Sequence, residues 1–157
     1  MKLIPLSRGK FAKVDDTDFK KFGPVKWYAA LCGKHLYAKR DTGRDSKRSR
    51  HYLHREIMGN PVGKQVDHKN HDTLDCQKSN LRVCNQSQNM MNRRGAASHS
   101  KSGIRGVHWH RGAEKWTSQI RAYGVVYHLG LFVEKEDAAA AYLAARKKYF
   151  GEFMGGS

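Results

Sequence analysis

Between Gln65 and Asn92 the chain is apolar only at intervals, and this spacing limits its possible folds more than any other stretch. Gln65-Val66-Asp67-His68 is long enough for one short strand, because the run that follows, Lys69 to Asn80, is almost wholly polar. Leu81-Arg82-Val83 restores the alternation of a second short strand. A helix is then expected to start near Asn85, whose side chain suits an N-cap. At about 3.6 residues per turn, Asn85, Asn89 and Asn92 fall on one helical face, which can turn toward the hairpin. The stretch reads as strand, polar loop, strand and helix. It would gather a carboxylate, an imidazole and carboxamides. Oxygen ligands suit a hard divalent cation such as Mg²⁺, and a free imidazole can take a proton.

Charge points to the partner. Lys and Arg number 30 against 14 Asp and Glu, a formal charge of +16. That imbalance repels itself in a compact protein, and a polyanion relieves it by releasing condensed counterions. Nucleic acid is therefore the expected partner, with an acidic membrane surface as the alternative. No apolar run approaches the roughly 18 residues of a membrane span. Met1 to Pro5 lacks the apolar core of a signal peptide, so no membrane role is expected. Cys32, Cys76 and Cys84 form no C-x-x-C pair, which argues against a zinc knuckle or a disulfide framework. They read as small buried hydrophobes in a reducing cytoplasm.

Short strands are expected at Lys2 to Leu6, Lys10 to Val14, Lys26 to Leu31 and His35 to Lys39, with a helix opening at Asp15-Asp16-Thr17-Asp18. The basic stretch Arg40 to Arg50 lacks apolar anchors and reads as a loop, either contacting phosphates or simply solvated. His51 to Met58 reads as a short helix stopped by Gly59-Asn60-Pro61. Arg93 to Gly103 is small, polar and basic, the composition of a linker. After it, about 50 residues of strand and helix stand near the lower limit of independent folding. In Lys115 to Tyr123, period two sends Trp116, Ser118, Ile120 and Ala122 inward and Lys115, Thr117, Gln119 and Arg121 outward. Tyr127, Leu129 and Leu131 are expected inward, Val126 and His128 outward. Glu136 to Phe150 reads as a helix with Ala138, Ala141, Tyr142, Ala145 and Tyr149 on one face.

The first constellation resembles the H-N-H nuclease motif, the ββα-metal fold, in the branch found in phage and intron-encoded homing endonucleases. Asp67-His68, then Asn80-Leu81-Arg82, then Gln88-Asn89 and Asn92 stand where that family shows V-D-H-x-N-G-D, N-L-R and Q-N-x-x-N. The resemblance implies Asp67 and Asn89 as ligands of one divalent metal ion and His68 as general base. Asn80 would tie the hairpin and orient His68. Mg²⁺ is the implied ion, with Mn²⁺ suitable and Zn²⁺ or Ni²⁺ admissible if His71 turns inward. His71 stands where the family usually has Gly, so a residue with a Cβ must take a turn expected to need positive φ. Weaker matches at Ile4-Pro5-Leu6, Val14-Asp15, Trp27 and Leu53-His54-Arg55 carry the likeness through the first 94 residues. His54 is read as packing beneath the hairpin.

The C-terminal part is similar to the APETALA2/ethylene-response-factor DNA-binding domain. The matching residues are Arg105-Gly106-Val107, Trp116, Ile120-Arg121, Leu129-Gly130-Leu131-Phe132 and Asp137 to Tyr142. That likeness implies a sheet in the major groove, with Arg105, His108, Gln119, Arg121 and His128 toward DNA and Arg93 and Arg94 adding contacts from the linker. The expectation is an α+β chain: an H-N-H region at 1–94 (its ββα-metal core at about 61–94), a linker at 95–103, and a three-stranded antiparallel sheet with one packed helix at 104–157. Function follows as a monomeric, intracellular, homing-type endonuclease acting on double-stranded DNA, with no obligatory protein partner. A non-cutting DNA-binding regulator with a vestigial site is the alternative. Because the cutting residues all precede position 94, a chain ending near Gly95 is expected to keep its chemistry and lose site preference.

Overall fold

The computed structural model describes residues 1–43, 49–92, 95–96 and 100–151. Arg93 and Arg94 lie outside the described residues, as does 44–48 of the basic stretch. The chain divides into two compact units, Met1–Gln86 and Ser87–Ser157. The division falls at the start of the helix that carries Asn89, whereas the composition had placed it at 94.

The first unit opens with β1 (Lys2–Pro5) and β2 (Phe11–Val14), an antiparallel pair, followed by α1 (Asp16–Phe22). β3 (Tyr28–Cys32), β4 (His35–Thr42) and β5 (Ser49–Tyr52) form an antiparallel sheet in that order. α2 (Leu53–Ile57) leads to a second antiparallel pair, β6 (Gln65–His68) and β7 (Leu81–Cys84). Ile4, Val14, Phe22, Trp27, Leu53 and Leu81 draw these elements onto one core. Trp27 buries its ring there because its indole N–H reaches the Phe22 carbonyl at 3.0 Å.

The stretch Arg40 to Arg50 is not loop throughout: Arg40 to Thr42 complete β4 and Ser49 opens β5. No apolar alternation marks these strand ends, because polar pairs hold them. Arg40 sets Nη2 against both Glu56 oxygens, at 2.9 and 3.0 Å, and His51 Nδ1 meets the same carboxylate at 2.8 Å. Arg40 is thus engaged with α2, which removes it from the expected phosphate-contacting loop. Two of the three cysteines are buried as expected, but Cys32 is half-exposed. Burial pushes the Cys76 thiol up to about 12, so it is a packing residue and no nucleophile.

In the second unit, β8 (Val107–His110), β9 (Lys115–Ala122) and β10 (Val125–Phe132) form an antiparallel sheet with β9 central. α4 (Lys135–Phe150) packs on it through Ala138, Tyr142, Ala145 and Phe150. Gly106 makes the close approach possible. Its φ is +77°, and a Cβ there would lie 2.3 Å from the Tyr142 ring and 2.6 Å from the Gln119 carbonyl oxygen.

One orientation in this sheet differs from the period-two reading. His128 pairs with Gln119 but Gly130 pairs with Ser118, so Leu129 is an extra residue in a β-bulge. The bulge flips the phase: Phe132 packs against the core and Leu131 is 44% exposed. Thr117 lies on the outward face as expected, opposite His108, yet it is buried there, its hydroxyl 2.9 Å from His128 Nε2. Ser102, inside the stretch read as a linker, is buried as well and donates to the Val107 carbonyl at 2.6 Å. Among the described residues, no helix is long and apolar enough to cross a membrane.

Candidate active site

The β6–β7 pair is closed by the Lys69 N–H, which donates to the Asn80 carbonyl at 2.9 Å. From that closure the register sets His68 opposite Leu81 and Asp67 opposite Arg82. Arg82 donates through Nε and Nη2 to Asp67 Oδ2 at 3.0 and 2.8 Å, and both side chains are nearly buried. A charge-assisted pair of this kind holds the carboxylate in one orientation. The sequence reading gave Arg82 no role. The available signal was the hairpin register, since closure at 69 and 80 obliges 67 to face 82.

Asn80 is buried and spans the loop. Its Oδ1 accepts the Asn70 N–H at 3.0 Å, and its Nδ2 donates to the Asp75 carbonyl at 2.8 Å. The N-terminal strands brace the far side. Lys13 N–H reaches the Leu74 carbonyl and Cys76 N–H reaches the Lys13 carbonyl, both at 2.8 Å. The Asp15 carboxylate, placed to cap α1, instead accepts from Gln77 Nε2 at 3.2 Å and the Lys78 N–H at 2.9 Å. His71 has φ of +67°, the turn conformation the usual glycine would supply. A left-handed non-glycine residue costs roughly 1–2 kcal/mol. The contacts around it, including Asp72 N–H on Asn70 Oδ1 at 2.8 Å, hold the turn in place.

His68 is 4% exposed, and its ring stands 4.9 Å from His54 and 6.2 Å from Tyr37 between centroids. Burial pushes its imidazole down to about 4, against the pull of Asp67, Asp72 and Asp75. Near pH 7 it is therefore neutral and can accept a proton. His54 packs beneath the hairpin on the rim of a cavity of about 460 Å³, shared with Cys32, Tyr37, Tyr52, Gln65 and Val66.

Burial, then His68 and Arg55, pushes His54 down from its ordinary 6.5 to about 3. Among the described residues its Nδ1 meets no hydrogen-bond partner, so a charged ring would go unsolvated. The unfolded chain takes up the proton first, so the stability this neutral ring contributes is complete above about pH 6.5 and lost as pH falls toward about 3. His54→Phe keeps a ring and removes this titration. Its denaturation midpoint is expected to fall less than the wild type's between pH 7 and pH 4.5. Equal slopes would show that His54 does not titrate between the two states.

α3 (Gln86–Asn92) carries the third part of the motif. Asn89 on it is half-buried and Asn92 is buried. From Ser87 onward this helix belongs to the second unit. The structure therefore brings Asp67, His68 and Asn80 together on one hairpin and places Asn89 in the other unit. Among the described residues no group of three or more His, Cys, Asp or Glu is arranged to hold a metal. The expected pair, a carboxylate and a carboxamide, is not of that kind.

In the second unit the register pairs His108 with Thr117, Gln119 with His128 and Arg121 with Val126. His108, Gln119, Arg121 and His128 consequently share one face of the sheet, and all four are exposed. Arg105, expected with this set, donates through Nη2 to the Met90 carbonyl at 3.0 Å.

Residues 52–91 match the family model described as HNH endonuclease. The matched stretch includes Asp67, His68, Asn80 and Asn89, and it supports an HNH nuclease, for which DNA is the substrate. HNH nucleases generally use a divalent metal. Comparison with curated proteins and with solved structures found no match.

Proposed function

We propose that this chain is a metal-dependent DNA endonuclease of the homing type, with His68 as general base and one divalent ion held by Asp67 and Asn89. The observation that carries the reading is the family match at 52–91 falling on a hairpin that sets Asp67 beside His68 and closes its loop with Asn80. A carboxylate and a carboxamide oxygen fit Mg²⁺ or Mn²⁺, and such an ion would supply charge stabilisation at the phosphate oxygens. The chain's own residues do the rest. Neutral His68 takes a proton from the attacking water. Arg82 keeps the Asp67 carboxylate oriented, and Asn80 holds the loop on which His68 ends. Water adds to phosphorus and the bond to the 3′ oxygen breaks; that oxygen takes a proton from solvent, leaving 5′-phosphate and 3′-hydroxyl ends.

The second unit serves as an APETALA2-like reader, with His108, Gln119, Arg121 and His128 presented to the major groove. The formal charge of +16 supports duplex DNA as the partner. Incubating supercoiled plasmid with the full chain separates cutting from binding. Nicked or linear product with Mg²⁺, and none in EDTA, is expected. Tight binding without product in either Mg²⁺ or Mn²⁺ would replace the nuclease by a DNA-binding regulator.

A further inference from the structure

The outward face of the β8–β9–β10 sheet is polar along β9 but apolar at two points on β10. Directly opposed residues of an antiparallel pair point to the same side. Val126, opposite Arg121, and Leu131, opposite Thr117, therefore share the face that carries His108 and Gln119. Both are open to solvent, Val126 at 45% and Leu131 at 44%. Leu131 is there because of the bulge at Leu129; a regular strand would turn it to the core and send Phe132 outward. His128 lies between the two, its Nε2 held 2.9 Å from the Thr117 hydroxyl. Exposing a valine and a leucine to water gains nothing, whereas covering each with an apolar group does. The charge around them selects a polyanion: from Val107 to Phe132 the sequence has one acid, Glu114, against Arg111, Lys115 and Arg121. In the major groove of duplex DNA, thymine offers the apolar group, a C5-methyl, beside polar base edges that Gln119 and Arg121 can address.

We propose that Val126 and Leu131 are specificity-determining residues of the C-terminal unit, each packing on the C5-methyl group of a thymine. The inference rests on the reading of that unit as a major-groove binder. Arg121 and Thr117, the partners of the two, are four residues apart on β9, about 14 Å at about 3.4 Å per residue. Nucleotides along one strand of the duplex rise about 3.4 Å each. The two methyl groups accordingly stand about four base steps apart, with the Gln119–His128 pair over the steps between.

Selection from a random duplex pool by the full chain in EDTA gives the preferred sequence without metal-dependent cutting. Each thymine in it is then replaced in turn by deoxyuridine, which removes the methyl group and keeps the base pair. At two positions about four steps apart, Kd is expected to rise about fourfold. Leu131→Ser is expected to cost about as much on the thymine duplex and nothing further on a duplex with uracil at one of these positions. Val126→Ser is expected to behave in the same way at the other. Tolerance of uracil at every position overturns the proposal, and that arm needs no variant to fold. A folded variant whose loss is equal on thymine and uracil duplexes overturns it too. So does a DNA-free dimer that Leu131→Ser returns to monomer, because the face would then belong to a second copy of the chain. Selection that recovers no preferred sequence would remove the reader itself, and this inference with it. A preferred sequence indifferent to uracil would leave the reader and remove the methyl contacts alone.

Discussion

His68→Ala is expected to lower the cleavage rate by about 10² to 10⁴ while DNA affinity changes little. Two effects compete in that variant. One is chemical: in the proposed mechanism the buried, neutral imidazole adjoining Asp67 is the proton acceptor. The other is structural: removing a ring 4.9 Å from His54 and 6.2 Å from Tyr37 opens a void in the hairpin's support. A large-to-small change at a buried site costs about 2–5 kcal/mol, enough to unfold a marginal domain but not to slow chemistry in molecules that stay folded. Single-turnover cleavage at saturating protein and low temperature isolates the first effect. His68→Gln fills most of the volume without restoring an imidazole. Both variants are expected to be slow, with only the alanine variant melting markedly earlier. Near-normal cleavage by folded His68→Gln would remove His68 from the mechanism.

The hairpin was legible because its signals are local. Two short alternating runs flank a polar loop, and Asn80 closes it at a fixed distance in sequence. The positive φ at His71 was legible too, from the glycine usual at that position. Other features depend on partners that local pattern does not announce. The strand residues Arg40 and His51 are anchored by a carboxylate on α2, so the stretch looks like solvated charge. The bulge at Leu129 adds one residue to β10, after which every inward residue shifts by one and Phe132 replaces Leu131. Nothing in the composition distinguishes a bulged strand from a regular one. α3 is the clearest case. Adjacency in sequence assigns it to the hairpin, but Met91 takes its apolar neighbours from Val107 and α4.

That placement reverses the outcome expected for a chain ending at Gly95. Such a chain keeps the first unit's core of Ile4, Val14, Trp27, Leu53 and Leu81, together with Asp67, His68 and Asn80. It loses Arg105 and Arg146 from the carbonyls of Met90 and Met91, and the apolar socket from the Met91 side chain. Stripped of these contacts, Gln86–Asn92 is expected to fray, and Asn89 with it. With Asn89 the metal ligand of the proposed site, misplacing it by about 1 Å can cost about 10²-fold in rate, so cleavage is expected to fall at least that far even at saturating DNA. Affinity is expected to fall as well, because Gln119, Arg121 and His128 leave with the sheet. Saturating the truncated chain with duplex separates the two losses: a reader lost alone restores the rate at high concentration, whereas a displaced Asn89 does not. Circular dichroism and a cooperative melt establish that the first unit is folded when the assay is run. Full cleavage by that folded chain would mean that α3 needs nothing beyond residue 95, and the C-terminal unit would be a DNA reader only.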